Sequence, residues 1–205
     1  MSGTVTYRLL DDRIRRFGQV ADESRLQPAD LVLLGLADAK ASRLIEAAQR
    51  RGGFDSQHAQ WTHVAMYIGD DRVIEATPAD GVRVNALSDV MFRRPSLVRR
   101  VVHAELPLEA RFRTIIHAMH EIGRPYSLGI VPGLGWRAWR RRVWRPGSGP
   151  DILGMTICSS LMRRAYLSGA ELDIAPHATG VTWPADLSMS PRLADVPIGW
   201  VRVAR

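Results

Sequence analysis

The one cysteine of the chain, Cys158, lies in Thr156-Ile157-Cys158-Ser159-Ser160-Leu161, which reads as the first turn of a helix. Unpaired N–H groups and the positive end of the helix dipole favour a thiolate there and can draw the pKa from about 8.5 to about 3.5–7.5. The same N–H groups can form an oxyanion hole. A thiolate that attacks a carbonyl also needs a base, and six histidines are available: His58, His63, His103, His117, His120 and His177. His117 and His120 have HxxH spacing on one helix with no carboxylate in register, the pattern of a solvated face rather than a metal site. His177 follows Cys158 by 19 residues, in a loop between Pro176 and Gly180 that offers little rigid backbone. His63 opens an alternating strand, THVAMYIG over 62–69, which puts Ala65, Tyr67 and Gly69 on its face. Glu75 lies on the return strand, and antiparallel pairing can set it beside His63, where a carboxylate would fix the imidazole tautomer. Spacing alone equally allows Glu75 to face solvent and Cys158 to be a small buried hydrophobe.

The elements that must position these residues are readable in part. Leu31–Leu36 follows the turn-prone Pro28-Ala29-Asp30 and predicts a short buried strand. A helix is expected over 39–50, with Leu44, Ile45 and Ala48 at helical spacing and a stop at Gly52-Gly53. The strand pair 62–69 and 72–76 turns at Asp70-Asp71, and further strands are expected over 81–84 and 97–103. From Pro107 to Gly123, Phe112, Ile115, Ile116, Met119 and Ile122 recur at the spacing of an amphipathic helix. The Cys158 helix runs through Leu161, Met162, Ala165 and Leu167 to Gly169, and 198–203 (IGWVRV) alternates as a closing strand. Strands and helices that segregate in this way predict an α+β domain rather than a doubly wound one.

Composition bounds the class. The 205 residues suit a single domain, 1–205, and 46% hydrophobic with 24% charged residues excludes a disordered or collagen-like chain. One thiol excludes an intrachain disulfide and the Cys-rich zinc folds, and no metal or organic cofactor is expected. Charges at Arg8, Asp11, Asp12 and Arg13 interrupt any signal-peptide core, and no apolar run is long enough to span a membrane. A cytoplasmic location is expected, with export by a specialised secretion machine left open.

Taken together, WTHVAMYIGDDRVIEATPADGV, then GRPYS, then ICSSLMRRAY resemble the circularly permuted, YiiX/YebB-like branch of the papain-like, NlpC-type cysteine hydrolases. In that branch the His strand precedes the Cys helix, as here. Gln27-Pro28-Ala29-Asp30-Leu31 resembles its opening Gly-Asp strand and Trp183-Pro184-Ala185-Asp186-Leu187 its Pro-x-Asp-Leu element. The resemblance implies a small antiparallel sheet or barrel packed against helices, with Cys158 as nucleophile, His63 as base, Glu75 as the orienting group and Tyr126 beside the thiolate. It also implies a peptide or amide substrate of cell-wall-like type. Pro28 stands where the family usually has Gly, and Ser160 where many relatives have Glu.

Between 127 and 150 the sequence departs into an insert in which Trp136, Trp139 and Trp144 alternate with five arginines over 137–145. Residues 93–145 hold 12 arginines and three glutamates, a surplus of +9 against +7 for the whole chain. Three readings stand side by side: contact with a membrane surface through Trp136–Arg145, nucleic-acid binding with no matching fold to support it, and a solvated loop. Trp136, Trp139 and Trp183 are the aromatic residues expected to meet substrate. The functional reading is a thiol hydrolase of amide bonds. Its alternatives are a lipid-directed acyl hydrolase or acyltransferase, similar to lecithin:retinol acyltransferase relatives, and a non-catalytic basic binding module. Oligomeric state is not legible in the sequence.

Overall fold

The computed structural model describes residues 18–35, 40–92, 94–102, 106–126, 157–178 and 181–202. Its organising element is β2 (Leu31–Leu34), whose four side chains are all buried, as a continuous apolar run requires when both faces of a strand are covered. Around it a six-stranded, fully antiparallel sheet forms in the order β5-β4-β3-β2-β6-β7, from β3 (His63–Gly69), β4 (Arg72–Thr77), β5 (Gly81–Ala86), β6 (Ser96–Val101) and β7 (Leu193–Val196). The sheet is open and does not close into a barrel. A separate ribbon pairs β1 (Gln19–Ala21) with β8 (Trp200–Arg202).

Period-two alternation gives the sheet two apolar faces. Leu31, Leu33, Val64, Met66, Ile74 and Val82 pack against α4 (Leu108–Met119) and α5 (Cys158–Ala170). Val32, Leu34, Ala65, Tyr67, Val73 and Val98 are covered instead by Ala21 and by the short α3 (Leu87–Met91). A third cluster, containing Phe54, Ala59, Ile157, Val181, Trp183 and Ala185, joins α1 (Lys40–Arg51), α2 (Ser56–Ala59) and α6 (Pro184–Met189) to the start of α5.

Local chemistry explains the joints. Asp70 and Asp71 both sit at φ +53 in the two-residue loop between Gly69 and Arg72, the mirror-image turn whose twist matches its flanking strands. Asp30, fully buried, is gripped by two guanidinium bonds from Arg100 at 2.8 and 2.7 Å, tying β2 to β6, and Arg111 of α4 approaches to 3.8 Å. Just before it the left-handed backbone falls on Ala29 (φ +70), so Ala29, not Pro28, takes the conformation that a Gly-Asp sequence would supply. Gln49 is buried with its amide donating to the Ala59 and Trp61 carbonyls and accepting from the Ala185 N–H, which locks α1, α2 and α6 together.

Three expectations change. The apolar positions of α4 do not form one core face: Ile115 is buried, whereas Phe112, Ile116, Met119 and Ile122 are exposed, as is Leu108. At about 100° per residue, Ala110, Arg111, Thr114, Ile115 and Ala118 make the buried side, and the exposed apolar positions form a separate ridge beside it. The closing strand begins at Trp200 rather than at 198 and pairs outside the main sheet, with its three described residues exposed. Leu44 and Leu167 point outward although they fall at helical spacing with core residues.

Helices α4 and α5 touch backbone to backbone at Gly169, where a Cβ would lie 2.4 Å from the Thr114 Cα and 2.7 Å from the Arg113 carbonyl carbon. Gly169→Ala must push the helices apart and is expected to cost about 1–3 kcal/mol by urea unfolding. Unchanged stability would show the contact to be loose.

Candidate active site

Strands β3, β4 and β5 present His63, Glu75, Arg83 and Asn85 on one face. Glu75 lies opposite Ala65 on β3 and opposite Arg83 on β5, so His63 and Asn85 are its diagonal neighbours, within reach of a long side chain. His63 Nε2 meets Glu75 Oε2 at 2.9 Å. The other carboxylate oxygen accepts Arg83 Nε and Nη2 at 3.0 and 2.9 Å and Asn85 Nδ2 at 3.0 Å. Burial alone would raise the Glu75 pKa, but the bond and charge of His63, with Asn85 and Arg83, hold it at about 2.

Cys158 arrives from the other side of the sheet as the first residue of α5. The β3–β4 ladder ends at Ala65 and Glu75, leaving the Val64 N–H beyond it. That N–H and the Ser159 N–H both favour the charged form of the Cys158 sulfur. Burial pushes the thiol up; the charge and hydrogen bond of His63, joined by these two N–H groups, more than reverse it, and the thiol lies below its ordinary value. Burial likewise works against a charged His63, yet the thiolate and then Glu75 raise it to about 9. The shifts run in opposite directions, toward a thiolate–imidazolium pair. With Nε2 committed to Glu75, Nδ1 is the ring nitrogen left for the sulfur.

The start of α5 is fixed by its own contacts. Ser159 Oγ donates to the Thr182 carbonyl at 2.5 Å, and Ile157 sits in the third cluster. Farther along, the Tyr166 hydroxyl reaches the Ala29 carbonyl at 2.5 Å, and Arg163 grips Asp173 at 2.8 and 2.7 Å.

Of the residues expected at the site, the structure brings Cys158, His63, Glu75 and Tyr126 together. Tyr126 packs between the first and third clusters, where burial and then the Cys158 charge push its hydroxyl pKa up. Trp183 is buried in the third cluster together with Ile157, the residue before Cys158. Trp136, Trp139 and the rest of the insert lie outside the described residues, as does His103. The remaining histidines go elsewhere: His58 Nδ1 meets Ser188 Oγ at 2.9 Å, His177 Nε2 lies 3.4 Å from Asp186, and His117 and His120 are exposed. Sequence reasoning missed Arg83 and Asn85. The turn at Pro78–Asp80 sets the β4–β5 register and contained that information.

Residues 26–132 match the sequence profile of the permuted papain-like amidase enzymes, the YaeF/YiiX or C92 peptidase family. The span includes His63, Glu75 and Tyr126 and stops short of Cys158. An uncharacterized protein of Bacillus subtilis (strain 168), YycO, is 27% identical over 128 residues, 62% of this chain, and the match spans only 45% of YycO. The crystal structure of YiiX from Escherichia coli O157:H7 is similar with a TM-score of 0.62 at 16% identity, over 86% of this chain and 99% of that one. YiiX is described as a metalloprotein. Here, among the described residues, no group of three or more His, Cys, Asp and Glu side chains is placed to hold a metal ion. The donors of Glu75 do not fit a metal site either, since Arg83, Asn85 and His63 already occupy its two oxygens.

A folded-state pKa of about 2, against an ordinary 4.5, means that Glu75 contributes stability above about pH 4.5 that is lost as the pH falls toward 2. That contribution is on the order of a few kcal/mol. Thermal melting of Glu75→Gln should therefore be lower at neutral pH and should fall less steeply on the acid side. Identical acid profiles for both proteins would contradict the shift.

Proposed function

Because the chain belongs to the permuted papain-like amidase family, we propose that it hydrolyses an amide bond through a thioester on Cys158. The sulfur attacks the carbonyl carbon, and the oxyanion is received by N–H groups at the start of α5 and by the Tyr126 hydroxyl. His63 Nδ1–H gives its proton to the departing amine. The neutral imidazole then takes a proton from water, hydroxide adds to the thioester, and the acid leaves as the thiolate is restored. Glu75 keeps His63 oriented and supports its positive charge throughout. The observation that carries this reading is the His63–Glu75 bond at 2.9 Å, with the thiol and imidazole pKa values displaced in opposite directions. The substrate class proposed is a peptide or cell-wall-like amide.

Labelling by iodoacetamide tests the pair. At about pH 6 an ordinary thiol is ionised to well under one part in a hundred, so His63→Ala should slow alkylation of Cys158 by about a hundredfold. Equal rates would sink the mechanism. Hydrolysis itself should decline as the pH rises through about 9, where His63 loses the proton it must deliver. A profile flat through that range would exclude His63 as the acid.

The second reading, action on acyl lipids at a membrane, is favoured by one feature, the exposed ridge of Leu108, Phe112, Ile116, Met119 and Ile122. An apolar ridge on a protein of net charge +7 suits an anionic surface. Wild type should sediment with phosphatidylglycerol vesicles at low salt and Phe112→Glu/Ile116→Glu should not. Failure of wild type to sediment removes this reading.

A further inference from the structure

Arg94 differs from every other part-buried arginine of the described residues. Arg83, Arg99, Arg100, Arg111, Arg163 and Arg164 each hold a carboxylate oxygen within 3.8 Å. Arg94 holds none. Its Nε and Nη2 donate to one neutral group, the Gly35 carbonyl, at 3.3 and 3.0 Å, and Nη1 has no hydrogen-bond partner among the described residues. A part-buried cation with no carboxylate partner among the described residues carries part of the desolvation cost of an unpaired charge.

Its position is at the catalytic end of the sheet. Gly35 follows Leu34, and Leu34 is the cross-strand partner of His63. The Gly35 carbonyl also receives the hydroxyl of Thr62, the residue before His63, at 3.4 Å, while the Gly35 N–H is tied to the Pro95 carbonyl at 2.8 Å. The guanidinium is thus fastened to the end of β2 that lies beside His63, through the Gly35 carbonyl it shares with Thr62. Burial lowers the Arg94 pKa, and the charges of Glu75 and then Cys158 are near enough to oppose that shift. Glu75 is not available as its partner, because its oxygens are occupied by His63, Arg83 and Asn85.

We propose that Arg94 forms an anion subsite beside Cys158, which receives a carboxylate or phosphate of the substrate close to the scissile carbonyl. A planar guanidinium with a free edge suits either oxyanion. The inference rests on the reading of Cys158 as nucleophile and sharpens it: the preferred substrate carries a negative charge near the bond that is cut. A peptide would supply that charge as a carboxylate and a lipid headgroup as a phosphate.

Two alkylating reagents that differ in charge test this without a known substrate. In both reactions the thiolate forms a bond to the methylene carbon and iodide leaves; only iodoacetate carries a carboxylate. The ratio of iodoacetate to iodoacetamide rates at Cys158 should fall roughly tenfold in Arg94→Gln, the loss expected of one charge-assisted hydrogen bond, and should be largely restored in Arg94→Lys. A ratio that Arg94→Gln leaves unchanged overturns the subsite while Cys158 stands as nucleophile. No labelling of wild type by either reagent strikes down the nucleophile and the subsite together. Should Arg94→Gln not fold, protection of wild type decides. N-acetylalanine or glycerol phosphate should slow iodoacetamide labelling where N-acetylalanine amide does not, and whichever protects names the source of the anion. Equal labelling with and without these anions overturns the proposal.

Discussion

A carboxylate within a sheet is tolerated only if its charge is answered, and Glu75 is the group whose answer organises this molecule. Its side chain is 4% exposed and its two oxygens accept from three residues on two neighbouring strands. Removing a carboxylate from water costs several kcal/mol, so those partners must be in register or the hairpin does not hold. A slip of one residue between β4 and β5 would send Arg83 and Asn85 to the opposite face. The same saturation defines what Glu75 can do. With one oxygen neutralised by Arg83, the other is left to fix the imidazole, and the carboxylate is unsuited to act as a base or to bind a metal.

The second half of the site depends on a different kind of constraint. Cys158 must meet the strand end from across the sheet, and apolar packing alone would let α5 slide. Two hydrogen bonds and one close backbone contact prevent this: Ser159 on the Thr182 carbonyl near its start, Tyr166 on the Ala29 carbonyl farther along, and the glycine contact with α4 at Gly169. Asp30 carries the chain from one to the other, since the residue before it receives Tyr166 and its own carboxylate binds Arg100. The thiol is therefore located by contacts that α5 makes within the core.

Much of this was legible in the sequence where local rules act. The hairpin at Asp70-Asp71, the alternation that puts His63 and Glu75 on one face, and the helix beginning at Cys158 all follow from turn chemistry and period. The α4 ridge was not legible, because Phe112 and Ile115 look alike in a periodic pattern and only packing against α5 decides which is buried. Arg83 and Asn85 were hidden among ordinary polar strand residues until the β4–β5 register was known. Arg94 gave no signal at all. Its meaning comes from what it lacks in space, and neither Gly35 nor His63 is close to it in sequence.

The two halves of the site also differ in how far apart they lie along the chain. His63 and Glu75 are 12 residues apart and joined by a tight hairpin, a structure of the kind that forms in about 1–10 μs. Cys158 comes 83 residues after Glu75, so its contact with the hairpin waits for long-range closure of the whole sheet. Until that closure the cysteine keeps the pKa of an ordinary thiol, and the imidazole has nothing to protonate for. In the proposed mechanism thiol activation is thus a property of the completed fold: a nascent, misfolded or partly opened chain carries the sulfur in a chemically quiet form.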